Sequence, residues 1–211
     1  MLWTMHPEPD AVTRFWSWFV AHREGFDALT DPESGFWDEA LGELQEINDS
    51  LYFELSAPVS GVREFVVTAD GDETLFATVD AMIAKAPPTT GWKFKALKPA
   101  MGFGFKSTYE GIDFDPAEMW FLPLDSEDQP EGLGLRIGFV GLDSMDYDQA
   151  SSAVVMVLDS GLGERAAAKE LQHIELVELP EDPQDAGYIP LAELADYITW
   201  RKQLPKAKPR G

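Results

Sequence analysis

Residues 51–96 read LYFELSAPVSGVREFVVTADGDETLFATVDAMIAKAPPTTGWKFKA, and this stretch decides the fold. At its start the apolar residues Leu51, Phe53 and Leu55 alternate with other residues and share one side of the chain. After the turn APVSG the alternation resumes over residues 64–69. A period of two on both sides of a short turn predicts a β-hairpin.

The period then changes to that of a helix. The acidic turn DGDE, residues 70–73, ends the strand and supplies carboxylates that can cap a helix. Apolar residues follow at spacings of three and four, and the helix must end before Pro87 and Pro88, which cannot continue it. Residues 92–96 alternate again and predict a third strand. The stretch therefore has the order β-β-α-β.

The same order returns in residues 107–180, after the glycine-rich stretch PAMGFGFKSTYEG. Its predicted elements are strands near residues 119–124 and 133–140, a helix over about 146–160, and a strand around Ile174 and Leu176. We therefore predict an α+β fold. Two β-β-α-β units, residues 51–106 and 107–180, form a mixed or antiparallel sheet with the helices on one face.

Helices are predicted before the two units. Residues 1–50 read as a helical hairpin, in which Asp10 caps the first helix and Asp31-Pro32 opens the second. The segment EGFDALTD, with Gly25, is expected to form the turn between them.

A last helix is predicted over residues 188–200, with Pro190 in its first turn. The remainder, residues 201–211, reads RKQLPKAKPRG and is predicted to be a basic disordered tail. Residues 1–200 are of a size and composition that predict a single domain.

The charge of the chain is strongly negative and unevenly distributed. Its net charge is −22, and residues 107–200 contain twenty-one Asp and Glu against only Arg136, Arg165 and Lys169, a balance of −18. Such a field repels nucleic-acid phosphates and anionic lipids, so we predict neither a nucleic-acid nor a membrane partner. It favours a basic protein partner, and the alternative is that the acidity serves solubility alone.

Two sets of charged residues are candidates for binding. Lysines surround an aromatic strand and could bind an anion, pair with the acidic half of the chain, or serve a homodimer interface. The loop DSEDQPE is expected to be exposed and to face a basic partner. The candidate binding residues are Trp92, Lys93, Lys95, Lys98, Asp125, Glu127 and Asp128, and Lys106 lies near the lysines in sequence.

One segment resembles a catalytic motif. The apolar run VVMVL enters Asp159-Ser160-Gly161, which resembles the active-site turn of retroviral-type aspartic proteases. In that family two such aspartates share a proton and activate a water. The same run also fits a helix that ends at Gly161, as the β-β-α-β order requires. We therefore disfavour the protease and predict no catalytic residues.

Metal and cofactor motifs are absent from the sequence. With zero Cys there is no disulfide and no thiolate, which suits a reducing cytoplasm. The carboxylate-rich segments LDSMDYDQ and DSEDQPE lack the spacing of a calcium loop, and the three His form no ligand pattern. We predict no metal and no cofactor. The N-terminal sequence does not read as a signal peptide, so we expect a cytoplasmic protein.

Several phrases carry a resemblance. The segments TADGDETLF, GWKFKALKP, VLDSGLGE and GYIPLAELADYI are similar to an uncharacterised family of small acidic bacterial cytoplasmic proteins. The resemblance implies a bacterial cytoplasmic origin and assigns no active site.

Three hypotheses for the function follow. We favour a non-catalytic interaction protein, an adaptor or an immunity-like protein, that presents an acidic face to a protein partner. The alternatives are a small-molecule-binding domain that uses the abundant aromatic residues and a hydrolase with dispersed carboxylates.

Overall fold

The structure, a computed structural model, describes residues 10–109, 111–124 and 132–204. The chain forms two compact units, Met1–Leu97 and Lys98–Gly211, termed the first and the second unit.

The boundary between the units follows the last strand of the first β-β-α-β sequence. Residues 98–106, which the sequence assigned to the first β-β-α-β unit, therefore belong to the second unit. That residues 1–200 form one domain stays a prediction.

The first unit consists of three N-terminal helices and a small sheet with its own helix. Its elements are α1 (Ala11–Ala21), α2 (Arg23–Ala28), α3 (Gly35–Gln45), β1 (Tyr52–Leu55), β2 (Arg63–Thr68), α4 (Phe76–Ala84) and β3 (Trp92–Ala96). β1 pairs antiparallel with β2, and β2 pairs parallel with β3. Because α4 connects the two parallel strands, the predicted β-β-α-β order is confirmed.

The N-terminal helices differ in number from the prediction. Asp10 caps α1 as predicted, since its carboxylate accepts from the N–H of Thr13 at 3.1 Å. The expected turn EGFDALTD instead contributes to α2, although Gly25 costs a helix about 1 kcal/mol. The reason is Phe26, which is fully buried and stacks on Phe19 at 4.3 Å, because burying such a ring is worth about 1.5–3 kcal/mol.

α3 begins later than predicted. Its N-cap is Ser34, whose hydroxyl accepts from the N–H of Trp37 at 3.3 Å. Asp31 accepts instead from the N–H of Glu33 at 2.9 Å and so forms the turn before the helix.

The second unit repeats the topology of the first and adds short strands. Its elements are β4 (Ser107–Tyr109), β5 (Ile112–Phe114), β6 (Trp120–Leu124), β7 (Leu133–Phe139), α5 (Tyr147–Leu162), α6 (Glu164–Glu170), β8 (Leu171–Glu178), β9 (Ile189–Pro190) and α7 (Leu194–Arg201). β6 pairs antiparallel with β7, and β7 pairs parallel with β8. The second β-β-α-β order and the α+β class are confirmed.

The strands form three sheets with the orders β1-β2-β3, β4-β5 and β8-β7-β6-β9. The two β-β-α-β sequences therefore form separate mixed sheets. The core of the second unit includes the buried side of β7 and the apolar stripe of α5, where Leu135, Ile137, Val154 and Val157 are fully buried.

Three short strands were not predicted. The β4–β5 hairpin lies in and just after the glycine-rich stretch, and its strands of three residues are too short to show a period. Ile189 and Pro190 were expected to open the last helix, but they form β9 and pair with Phe121 and Trp120. An edge strand suits a proline, which has no N–H to donate.

Two residues assigned to the basic tail belong to the folded unit. The Arg201 guanidinium donates to the carbonyl of Gly132 at 2.8 Å, and the ammonium of Lys202 lies 2.7 Å from a carboxylate oxygen of Glu170. Gln203 and Leu204 of the predicted tail form a turn after the helix, with backbone bonds to Trp200 and Arg201, and residues 205–211 lie outside the described residues.

Candidate functional site

The loops that follow the parallel strands β7 and β8 in the second unit carry exposed carboxylates. Because β7 and β8 are parallel, their carboxyl ends lie at the same end of the sheet, where the N–H of Leu179 donates to the carbonyl of Phe139 at 3.1 Å. The loops that follow both strands start there. Six exposed carboxylates on these loops and on the first turn of α5, together termed the acidic end, are Asp143, Asp146, Asp148, Glu181, Asp182 and Asp185.

No cation in the part of the chain that the structure describes forms an ion pair with the acidic end. Within residues 10–109, 111–124 and 132–204, none of the six carboxylates forms an ion pair. In the same ranges, no three His, Asp or Glu side chains are arranged to hold a metal ion. The acidic end is therefore a set of negative charges turned toward water.

Glu178, the last residue of β8, holds the loop that begins the acidic end. Its carboxylate accepts from the N–H of Gly141 at 2.8 and 3.1 Å and from the N–H of Asp143 at 3.1 Å. The bond from Gly141 is the largest cause that lowers the pKa of Glu178, with those from Asp143 and Leu142 adding to it. Gly141 is needed here because it adopts a left-handed conformation, with φ of 96°.

The start of α5 is fixed in the same region. Asp146 caps the helix by accepting from the N–H of Gln149 at 3.0 Å. The Tyr147 hydroxyl lies 3.4 Å from the backbone nitrogen of Leu176, a long contact with β8. Val140 and Tyr147 are 76% and 52% exposed, so apolar surface lies in the same segment as the carboxylates.

The predicted candidates of the first unit lie on β3. Trp92 is buried and its indole N–H donates to the carboxylate of Asp27 at 2.8 Å, so it is part of the core. Lys95 forms an ion pair with Glu64 at 2.6 Å. Lys93 is exposed and has no ion pair with any residue that the structure describes.

The predicted candidates of the second unit divide into paired lysines and undescribed carboxylates. The ammonium of Lys98 lies 2.7 Å from a carboxylate oxygen of Asp159, and that of Lys106 lies 2.8 Å from a carboxylate oxygen of Asp115. Both pairs agree with the reading in which isolated lysines pair with carboxylates. The loop with Asp125, Glu127 and Asp128 lies outside the described residues, so those candidates stay predictions.

The segment that resembles a protease turn is helical. Asp159, Ser160 and Gly161 lie in the last turn of α5, as the helix prediction required. The neighbouring segment 98–103, termed the strap, crosses this helix end. The N–H groups of Met101 and Gly102 donate to the carbonyls of Ser160 and Gly161 at 2.9 and 3.1 Å. The last carbonyls of a helix have no donor within the helix, and the strap supplies a donor to two of them.

A buried carboxylate completes the contact of the strap. Glu164 is fully buried, and its carboxylate accepts from the N–H of Lys98 at 3.0 Å while its own N–H donates to the carbonyl of Lys98 at 3.0 Å. This reciprocal pair, together with the ion pair of Lys98 and Asp159, gives the Asp-Ser-Gly segment a structural role.

Sequence reasoning missed three residues whose side chains stabilise the fold through partners distant in sequence: Arg63, Glu164 and Glu178. Arg63 and Glu164 are buried polar residues, and Glu178 binds a turn whose residues lie 35 and 37 positions away. No local pattern distinguishes them from solvated Arg and Glu, because their partners are distant in sequence.

No helix in the described part of the chain is long and apolar enough to cross a bilayer.

The unpaired charges predict a stability that depends on salt. Raising NaCl from about 0.01 M to about 0.15 M shortens the Debye length from about 30 Å to about 8 Å and weakens the repulsion among carboxylates. We expect the melting temperature at pH 7 to rise by at least about 2 °C, which corresponds to about 1 kcal/mol for a chain of this size. Near the sequence pI of 4.3 the same addition should have little effect. A melting temperature at pH 7 that ignores salt would contradict the expectation.

Comparisons with models of protein families, with curated proteins and with solved structures found no match to this chain.

Proposed function

We propose that this chain is a non-catalytic interaction protein, an adaptor or an immunity-like protein, which presents its acidic end to a basic protein partner. The observation that supports this best is the contrast between its cations and its anions. The six carboxylates of the acidic end have no ion pairs in the described ranges, whereas Lys95, Lys98, Lys106 and Lys202 are each paired.

Several cations of the second unit pair with carboxylates of the same unit. Arg136 forms an ion pair with Glu175, which adds to the lysine pairs of this unit. Its surplus of negative charge is therefore left at the surface. Part of this charge belongs to the acidic end, on two loops that start at the same end of the sheet. Such a field steers a positively charged partner into encounter.

The exposed side chains of Val140 and Tyr147 support docking as well as steering. Long-range charge mainly raises the association rate, whereas a bound complex also needs apolar contact. Tyrosine suits such contacts because its ring is large and rigid and its hydroxyl can bind a polar group. A fitting partner would place Lys or Arg side chains around an apolar residue.

We propose that the protein acts in the bacterial cytoplasm, in line with the resemblance and with the lack of Cys. We propose no nucleic-acid partner, no membrane partner and no cofactor. Small-molecule binding and hydrolysis stay as alternatives from the sequence. The helical Asp159-Ser160-Gly161 does not support the aspartic-protease-like reading.

The test is capture of a partner from a bacterial lysate, followed by measurement of the association rate constant against ionic strength. We expect a decrease of about tenfold or more between about 0.01 M and about 0.15 M salt. Replacing Glu181, Asp182 and Asp185 by Lys should lower the association rate at low salt by a similar factor. No side-chain hydrogen bond or ion pair of these three residues is known within the described part of the chain, so their replacement should leave the fold intact.

The matched control reverses three exposed glutamates of the first unit, Glu33, Glu39 and Glu46, and changes the net charge by the same amount. If both triple variants slow association equally, only net charge matters and the acidic end has no specific role. Reversal of Asp125, Glu127 and Asp128 tests the loop that the sequence singled out. If a specific partner is captured but is not basic, or binds without salt dependence, the proposal fails.

A further inference from the structure

The contact between Glu178 and the turn at residues 141–143 has the properties of a clasp. The carboxylate accepts from the backbone N–H groups of Gly141 and Asp143, and the Gly141 N–H is shared between its two oxygens. Gly141 and Asp143 are 37 and 35 residues away in sequence, so the contact joins the end of β8 to the connection between β7 and α5. The carboxylate lies at the surface end of the sheet, where protons can reach it.

We propose that Glu178 is a pH-sensitive clasp: its charged carboxylate holds the turn at 141–143 against the end of β8, and protonation releases the turn while the sheet stays paired. The proposal goes beyond the binding of a partner and does not depend on the partner's identity.

The chemistry of the acceptor explains why the clasp needs the charge. A hydrogen bond to an ionised group is stronger than one to a neutral group, and a carboxylate can accept several N–H groups at once. A protonated carboxyl has one weaker acceptor oxygen and a hydroxyl that presents a donor to the N–H groups. The turn has its own internal hydrogen bonds, from Ser144 N–H to Gly141 O at 3.1 Å and from Met145 N–H to Leu142 O at 2.9 Å. It can therefore move away from the end of β8 and keep its own conformation.

Other charged groups lie on the segments next to the clasp. The titratable and charged groups on these segments include Arg136, Asp143, Asp146, Tyr147, Asp148, Glu175, Glu181 and Asp182. The pKa of Glu178 is lowered by the backbone N–H groups of Gly141, Asp143 and Leu142 and raised by burial, and none of these charges is among its causes. The backbone hydrogen bonds are therefore the contacts through which Glu178 responds to pH.

The direction in pH follows from the same bonds. The backbone donors lower the pKa of Glu178 below its ordinary value of 4.5, with Gly141 as the largest cause. A carboxyl with a lowered pKa stabilises the folded turn above the unfolded pKa, and this contribution is lost as the pH falls through the folded pKa. The clasp is therefore closed near neutral pH and opens as the pH falls through the lowered pKa of Glu178.

The test follows backbone amides by NMR during a titration from about pH 7 to about pH 3. We expect the amide shifts of Gly141 and Asp143 to move together with the Glu178 side-chain carboxyl carbon. Their hydrogen-exchange protection, corrected for intrinsic exchange at each pH, should fall by about tenfold, while amides of Ile137 and Leu176 in the β7–β8 pair stay protected. Independent titration of the two amides, or loss of protection at Ile137 and Leu176 at the same pH, would overturn the proposal.

Glu178→Gln supplies the second arm because it keeps the shape and removes the charge. At pH 7 this variant should show the low-pH shifts of Gly141 and Asp143 and should lack their pH dependence. Asp143→Asn is the control, since it removes a nearby titrating group but keeps the clasp, and its titration should match that of the wild type. If Glu178→Gln keeps wild-type protection at both amides, the charge is not needed and the proposal is wrong. The wild-type titration decides the question even if the variant folds poorly.

Discussion

Replacing Arg63 by methionine is expected to lower the free energy of unfolding by about 3 kcal/mol. Arg63 is only 9% exposed, and its guanidinium donates to the carbonyls of Ser56 and Phe26. It also lies over the ring of Trp92, 5.3 Å from the centroid. Methionine fills much of the volume but leaves buried carbonyls without a donor.

Urea unfolding followed by circular dichroism measures the effect of Arg63→Met. Arg23→Met is the matched control, because the Arg23–Asp27 pair is about half exposed and such pairs contribute about 0.5 kcal/mol or less. Arg63→Lys should give an intermediate loss, since an ammonium cannot reproduce the planar fork over an aromatic ring. A loss below about 1 kcal/mol for Arg63→Met would show that the buried contacts of Arg63 contribute little.

Replacing Gly161 by alanine is expected to lower the free energy of unfolding by about 2 kcal/mol, although alanine is the better helix former by about 1 kcal/mol. A Cβ at this position would overlap the ring of Phe103, which is 6% exposed and packs on the glycine. The ring would have to leave its site, and the strap would lose its apolar anchor.

A double-mutant cycle separates the overlap from the helix propensity. Phe103→Ala alone should cost about 3 kcal/mol. In that background Gly161→Ala should become stabilising by up to about 1 kcal/mol, because the overlap is gone and the propensity remains. Gly42→Ala, in the interior of α3 with open space at its Cβ, is the control and should be stabilising in the wild type. If Gly161→Ala destabilises both backgrounds equally, Phe103 is not the cause.

The secondary structure was largely predictable because periodicity and capping are local. The alternation in β1 to β3, the helix between β2 and β3, the cap at Asp10 and the helical Asp159-Ser160-Gly161 were all readable from neighbours within a few residues. The helix α2 and the strand β9 were not readable. Each depends on a distant partner, the packing of Phe26 on Phe19 in one and the pairing with β6 in the other.

The candidate site was predicted in its charge and not in its geometry. The surplus of carboxylates in residues 107–200 was visible in the sequence, and so was the tendency of Lys95, Lys98 and Lys106 to pair with acids. Which carboxylates stay unpaired was not visible. Glu175 and Glu178 belong to one strand, yet the first binds Arg136 and the second binds the backbone of a turn.

The sequence by itself determined the α+β class, the order of the two β-β-α-β units and the sign of the charge, because each depends on residue types and short spacings. Only the tertiary structure decided that the loops after β7 and β8 start at the same end of the sheet, that the Glu178 carboxylate binds the N–H of Gly141, and that the strap covers the end of α5. These contacts join residues tens of positions apart, and a side chain's partner is set by where the folded backbone places it. Identical carboxylates therefore became a buried bond at Glu164, a clasp at Glu178 and open charge at the acidic end.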